Sequence, residues 1–144
     1  MSLFSSTIRI ALIGVLAPLF MSACMLVSGD RISTDVRPEA GMVTRTFLGA
    51  EGSEEYAIPV GSGATMLQTI VILELQQGEM RLEMLNAGGS VAFAVQSRPG
   101  DQVSRAGVVR LDETGTLRYR VITRSARDGG YQILYQQMQN GNRQ

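Results

Sequence analysis

The sequence predicts an all-β protein, an antiparallel two-sheet β-sandwich of about eight strands that follows an N-terminal signal or anchor segment. Three observations lead to this fold class. Apolar and polar residues alternate with a period of two in several short segments, glycine-rich turn signals separate these segments at fairly even spacing, and no segment carries an amphipathic helical stripe. The apolar rows of the two sheets would meet in one core.

Each strand is predicted from its own alternation. Leu117, Tyr119 and Val121, for example, point away from Arg118 and Arg120, which gives one buried and one solvated face. The stretch 69–75 is apolar on both faces over its first half, which predicts a central strand. The predicted strands are 43–48, 55–60, 66–75, 80–86, 91–97, 107–111, 117–124 and 131–136.

The first residues have the pattern of an export signal. Residues 1–9 are mostly polar and carry one charge at Arg9, residues 10–20 are apolar, and Ser22 and Ala23 precede Cys24, the only cysteine. The motif MSAC at 21–24 resembles a bacterial lipobox. That resemblance implies a signal peptide of residues 1–23, cleavage before Cys24, and acylation of Cys24 with chains such as palmitate.

An uncleaved transmembrane helix over residues 10–27 is the alternative anchor, with Pro18 as a kink. Both interpretations place the remaining chain outside the cytoplasmic membrane. Met25 follows the cysteine, in place of the aspartate that resembles a retention signal for the inner membrane in bacterial lipoproteins, so the lipobox resemblance implies the outer membrane in a cell that has one.

Composition shifts define the other boundaries. Residues 24–42 contain the predicted lipidated cysteine and a polar stretch without any period, which predicts a flexible tether. The β-sandwich domain is expected at 43–136. Residues 137–144 form a polar end that we expect to be disordered.

A second resemblance lies in the C-terminal part, with looser similarity back to residue 54. Residues 108–136 are similar to the end of bacterial pre-peptidase C-terminal domains, where a glycine-led long strand is followed by a glycine turn and a short strand that opens with tyrosine. The resemblance implies a jelly-roll-like sandwich that accompanies secreted enzymes, with no catalytic residues of its own. The matching residues are Gly115, Leu117, Tyr119 and Val121 in the long strand, and Gly129, Gly130, Tyr131 and Ile133 at the close.

Composition excludes several kinds of chemistry. The net charge is zero, which removes the general electrostatic argument for nucleic acid, and no histidine is present. Without histidine there is no Ser–His or Cys–His nucleophile and no ordinary transition-metal site. We therefore expect no enzymatic activity and no cofactor beyond the lipid. Calcium is the one metal that the composition allows, with oxygen ligands from Asp101, Asp112, Glu113 and Asp128. The alternative is that these four carboxylates are simply solvated in turns.

All 13 basic residues are arginines, and eight of them follow residue 96 together with only four acids. Arginines on a sheet face could bind an anion or an acidic partner, and the alternative is a solvated face paired with nearby carboxylates. The candidate residues are Arg110, Arg118, Arg120, Arg124 and Arg127.

These features predict a lipid-anchored module outside the cytoplasmic membrane, acting as a structural or protein-interaction accessory subunit in the cell envelope. Its expected partners are membrane lipid and another envelope protein. The alternative is a ligand-binding module for extracellular carbohydrate or peptide. The low aromatic content, with four tyrosines, four phenylalanines and no tryptophan, counts against sugar platforms.

Overall fold

The computed structural model describes residues 24–61 and 66–138. The predicted signal peptide, part of the loop around residue 63 and the predicted disordered end from residue 139 lie outside the described residues. Within the described ranges, no helix is long and apolar enough to cross a membrane.

The described chain folds into seven antiparallel strands joined in one hydrogen-bonded network. The strands are β1 (Leu26–Ser28), β2 (Arg31–Asp35), β3 (Ala40–Pro59), β4 (Met66–Leu85), β5 (Val91–Gln96), β6 (Gln102–Arg110) and β7 (Thr116–Gln137).

Three long strands carry the fold, with β7 between β3 and β4. Each of the three is irregular near its middle. The register shifts between Ala50 and Gly52 in β3 and between Gln77 and Glu79 in β4. In β7, Ser125 and Asp128 both have a φ of 48°. Because β-bulges bend a strand, these irregularities turn the sheet back on itself.

The bend divides the network into two half-sheets. The first half-sheet contains β2, residues 40–47 of β3, 129–137 of β7, 66–75 of β4, and β6. The second contains residues 52–59 of β3, 116–124 of β7, 79–85 of β4, and β5. Their inner faces meet, since Tyr119 of the second half-sheet hydrogen-bonds Tyr131 of the first at 3.1 Å. The predicted β-sandwich is confirmed.

The core consists of the apolar rows that the alternation predicts. Val71 and Leu73 of β4 are fully buried, and β4 is central in the first half-sheet, between β6 and β7. Val91 differs from its predicted row, because it is 45% exposed at the start of β5. The confirmed rows are Met80, Leu82 and Met84; Phe93 and Val95; Leu117, Tyr119 and Val121; and Tyr131, Ile133 and Tyr135.

Six predicted strands are joined in pairs in the structure. The segments 43–48 and 55–60 belong to β3, 66–75 and 80–86 to β4, and 117–124 and 131–136 to β7. The residues between the members of each pair form the bend instead of separate turns. The fold therefore has fewer and longer strands than the sequence predicts.

The segment before β3 also differs from the predicted tether. Residues 26–28 and 31–35 form β1 and β2, which pair with β3, and the side chain of Met25 is buried in the core. All five residues of β2 are exposed. An edge strand of this kind depends on backbone hydrogen bonds, so it leaves no hydrophobic alternation in the sequence.

Candidate functional site

Two of the five candidate arginines, Arg118 and Arg120, share the outer face of the second half-sheet. Arg120 lies between two carboxylates, 3.4 Å from Glu55 and 3.5 Å from Glu83. Arg81 contacts the other side of Glu83 at 3.2 Å. Carboxylates thus pair with Arg120 and Arg81, whereas the exposed Arg118 forms no ion pair with another described residue.

The other candidate arginines lie elsewhere. Arg124 lies at the end of the second half-sheet, where it meets the bend, 3.8 Å from Glu79, and Arg127 lies in the bend beside Leu26. Arg110 ends β6 in the first half-sheet. The structure therefore does not bring the five arginines together, and binding of a partner by Arg118 and Arg120 stays a prediction.

The four carboxylates proposed for calcium lie in three different turns. Asp101 follows the β5–β6 turn, Asp112 and Glu113 lie between β6 and β7, and Asp128 is in the bend. Asp112 accepts hydrogen bonds from the side chain and backbone of Thr114, and these bonds lower its pKa. In the described ranges, no three acids or cysteines stand close enough together to hold a metal ion.

Cys24 is the first described residue, and it is exposed. Its carbonyl oxygen lies near Gly52, at the bend of β3. Lipidation of this residue stays a prediction.

A cleft of about 340 Å³ lies on the outer face of the first half-sheet, next to the bend. Gly130 lies between Thr46 and Glu74 in the strand register, so the middle position of this row has no side chain. A Cβ at Gly130 would overlap the carbonyl oxygen of Arg45, which explains the glycine. Hydroxyl, amide and carboxylate groups border the cleft, on Thr44, Thr46, Glu74, Gln102, Asp128 and Gln132.

The same outer face continues away from the bend as a surface whose middle rows have no charged residues on β3, β7, β4 and β6, with Asp35 of β2 next to Met42 at its edge. Met42, Leu134, Ile70 and Ala106 form one row across four strands, and Met42 and Ile70 are about 40% exposed, at 37% and 41%. The neighbouring rows carry amides and hydroxyls, from Gln68, Gln132, Gln136, Thr44 and Ser104. We call this surface of the first half-sheet, together with the cleft, the outer face.

The interior holds a polar cluster at the β1–β2 turn. Both oxygens of Asp30 accept hydrogen bonds from Arg45, at 2.8 and 2.7 Å, and Arg45 also donates to the hydroxyl of Tyr56. Tyr56 stacks on Tyr119, which packs edge-on against Tyr131. The guanidinium and the rings thus fill the space between the half-sheets.

The cluster has shifted pKa values. Burial raises the pKa of Tyr119 and Tyr131, and of Tyr56, where a hydrogen bond to Glu54 adds to the effect. For Arg45, burial opposes the charged form, but the hydrogen bonds, above all to Asp30, outweigh burial and raise its pKa. The cluster therefore keeps neutral phenols around a permanent cation, which suits a structural role.

The outer face was not predicted from the sequence. The apolar character of residues 69–75 on both faces indicated a central strand, yet it also placed Ile70 and Ile72 on the face that lies away from the core. The pair Gly129–Gly130 has the local sequence of a turn, but it lies within β7 beside the cleft. These two signals, taken together, could have pointed to this surface.

No family model matches the chain, and no curated protein matches it. Several solved structures align with the chain at low identity. A Clostridium thermocellum xylanase fragment with its CBM22-1 module, complexed with xylohexaose, aligns at 12% identity and a TM-score of 0.45, over 81% of this chain and 26% of that one. A Bacillus endospore appendage protein that forms disulfide-linked pili aligns at 12% and 0.43, over 81% and 96%. A Cellvibrio mixtus carbohydrate-binding module in complex with cellotriose aligns at 17% and 0.38, over 78% and 90%.

Proposed function

We propose that this protein is a non-catalytic binding module, held outside the cytoplasmic membrane by its N-terminal anchor, whose ligand is an extracellular carbohydrate bound on the outer face. The observation that supports this proposal is the cleft beside Gly130. Its volume of about 340 Å³ is near the lower limit for small-ligand sites, so its polar groups carry more weight than its size. Its polar groups converge on one surface of a rigid sheet.

The chemistry of the cleft suits a polyhydroxylated ligand. Carboxylates accept hydrogen bonds, amides both donate and accept, and hydroxyls do both, so the set matches sugar hydroxyl groups. Among the described residues, neither Glu74 nor Asp128 forms an ion pair, and both carboxylates are exposed. Ile72, which borders the cleft, offers an apolar contact for the carbon face of a sugar ring.

The affinity should be modest, because the aromatic residues of the described chain are taken up by the core. Tyr119, Tyr131 and Tyr135 are 3% exposed, and Tyr56 is half-buried against Tyr119. A sugar on the outer face would therefore be held by hydrogen bonds and aliphatic contacts instead of ring stacking.

A glycan array probed with the full chain in detergent, followed by titration calorimetry of the best ligand, tests the proposal. We expect Glu74→Gln combined with Gln102→Ala to weaken binding at least tenfold, since a hydrogen bond to a charged group contributes about 1.5–3 kcal/mol. Glu113→Gln, an exposed acid in the β6–β7 turn, serves as the matched control and should leave binding unchanged. An array without any bound glycan, or equal affinity of both variants, would contradict the proposal.

The second candidate is a structural or protein-interaction accessory subunit of the cell envelope. The apolar row of Met42, Ile70 and the half-buried Leu134 favours it, because a protein partner would cover such a row. Native mass measurement of the detergent-extracted protein would then find a second subunit, which Ile70→Asp would release. A protein that travels alone and binds glycan would exclude this candidate.

A further inference from the structure

The large apolar residues that are most exposed in the described chain lie at one end of the sandwich. Leu26 is 74% exposed, Leu48 63% and Ile32 58%. Leu26 and Ile32 belong to β1 and β2, and Leu48 lies against Gly29 between these two strands. Leu26 and Leu48 form an exposed apolar patch, whereas Ile32 is paired with the inward-facing Arg45 and lies on the other side of β2.

The bend directs this patch away from the core. Inner and outer residues normally alternate along a strand, but Gly49 and Ala50 are both buried, so that Leu48 and Glu51 on either side of them are both exposed. Leu26 pairs with Glu51 and therefore lies on the same outward side of the bend. We call the residues Leu26 and Leu48, with Arg31, Glu51 and Arg127, the bend surface.

Two cations border the patch. Arg31 pairs with Thr46 in the strand register beside Leu48, and Arg127 lines a shallow cleft together with Leu26. Neither arginine forms an ion pair with another described residue. Exposed aliphatic side chains next to arginine are typical of surfaces that bind the headgroup layer of a membrane.

The path of the chain indicates which partner covers this surface. The apolar run 10–20 of the sequence is joined to Met25 by residues 21–24, and Met25 is buried in the core. Four residues span at most about 14 Å even when fully extended. The anchor is predicted to be either an acylated Cys24 or a helix that contains the apolar run. In both cases the first residue of the core lies within about 14 Å of the lipid.

We propose that the bend surface rests in the headgroup layer of the membrane, with Leu26 and Leu48 inserted, so that the sandwich stands directly on the lipid. The proposal uses the predicted membrane attachment and does not depend on carbohydrate binding. Glycan affinity in detergent and depth in a bilayer are separate measurements, so failure of one leaves the other intact.

The absence of tryptophan from the sequence provides a clean experiment. Each of Leu26→Trp and Leu48→Trp introduces a single tryptophan at an exposed position. Val91→Trp, 45% exposed and at the opposite end of the sandwich from the bend, is the matched control. The full-length variants are reconstituted in vesicles of phosphatidylcholine and phosphatidylglycerol, with or without brominated acyl chains.

We expect brominated lipid to reduce the emission of the tryptophans at 26 and 48 at least twofold, with a blue shift, and to leave the tryptophan at 91 unchanged. Equal quenching at all three positions, or none at 26 and 48, would overturn the proposal. A blue shift without quenching would also overturn it, because a protein partner would then cover the bend surface instead of lipid.

Discussion

Arg45 shows how a single residue joins the N-terminal segment to the sandwich. Its side chain is 7% exposed and forms a two-pronged ion pair with Asp30, which lies in the turn between β1 and β2. A buried cation is costly unless it is paired and hydrogen-bonded, and here Asp30 and Tyr56 meet that requirement. The pair therefore makes the position of the β1–β2 turn part of the core.

Replacing Arg45 should be strongly destabilising. Arg45→Met leaves Asp30 and Tyr56 without their partner, and removal of one member of a buried pair typically costs about 3–5 kcal/mol. Because Asp30 is 31% exposed and can regain water, we expect a loss of about 2–4 kcal/mol in the free energy of unfolding, measured in urea. Arg37→Ala breaks an ion pair with 73% and 62% exposed side chains and should cost less than about 1 kcal/mol. Equal losses would show that burial of the pair is unimportant.

For the Arg45–Asp30 pair, the sequence predicts the position of Arg45 but not its partner. Val43, Arg45 and Phe47 follow the period of a strand, so the alternation places Arg45 on the inner row with its two apolar neighbours. Nothing local identifies Asp30 as the partner, because the contact depends on how β2 pairs with β3. Long-range pairing of short, polar strands has no signature in a single sequence.

At the scale of elements, a glycine can have one of two structural roles, and the local sequence does not tell them apart. A glycine with positive φ can close a hairpin, as in the turn at Gly88 and Gly89, or form a bulge inside a long strand, as at Gly78. Both sites have the local sequence of a turn, so the pattern predicts two strands, 66–75 and 80–86, where the structure has the single strand β4. The difference lies in the partner strand, since β7 continues alongside β4 past Gly78.

Gly78→Ala and Gly88→Ala should separate these two uses. Both glycines have a φ close to +90°, at +85° and +89°, so alanine introduces backbone strain at each position. A Cβ at Gly78 would also overlap the carbonyl of Ser125 in β7, whereas nothing lies within 4 Å of one at Gly88. We expect thermal unfolding to show a loss of about 1 kcal/mol for Gly88→Ala and about 3 kcal/mol or more for Gly78→Ala. Similar losses would mean that the bulge relaxes around the new methyl group.

At the scale of the whole molecule, the bend brings the two proposed binding surfaces, the cleft and the bend surface, next to each other. Thr46 borders the cleft on the outer face, and it also pairs with Arg31 of the bend surface. If the bend surface rests on lipid, the cleft opens just above the headgroups. The ligand that we propose would then be a polymer that lies close to the membrane. The alternation predicted the sandwich, but these surfaces arise from folding one sheet on itself, which no local pattern records.

The last prediction concerns the N-terminal segment as part of the domain. A flexible tether could be removed without loss, but residues 24–36 contribute the strand pairs of β1 and β2, the buried Met25 and the partner of Arg45. Burial of one methionine side chain alone contributes about 1.5–3 kcal/mol.

A chain that starts at Arg37 should therefore be less stable than one that starts at Cys24 by more than about 4 kcal/mol, since it also leaves Arg45 buried without a carboxylate. Urea unfolding followed by circular dichroism measures the difference. Deletion of residues 139–144 is the control and should have no effect, because β7 ends at Gln137. Equal stability of the two chains would mean that residues 24–36 are a flexible tether after all. A short connection would then no longer hold the bend surface at the membrane.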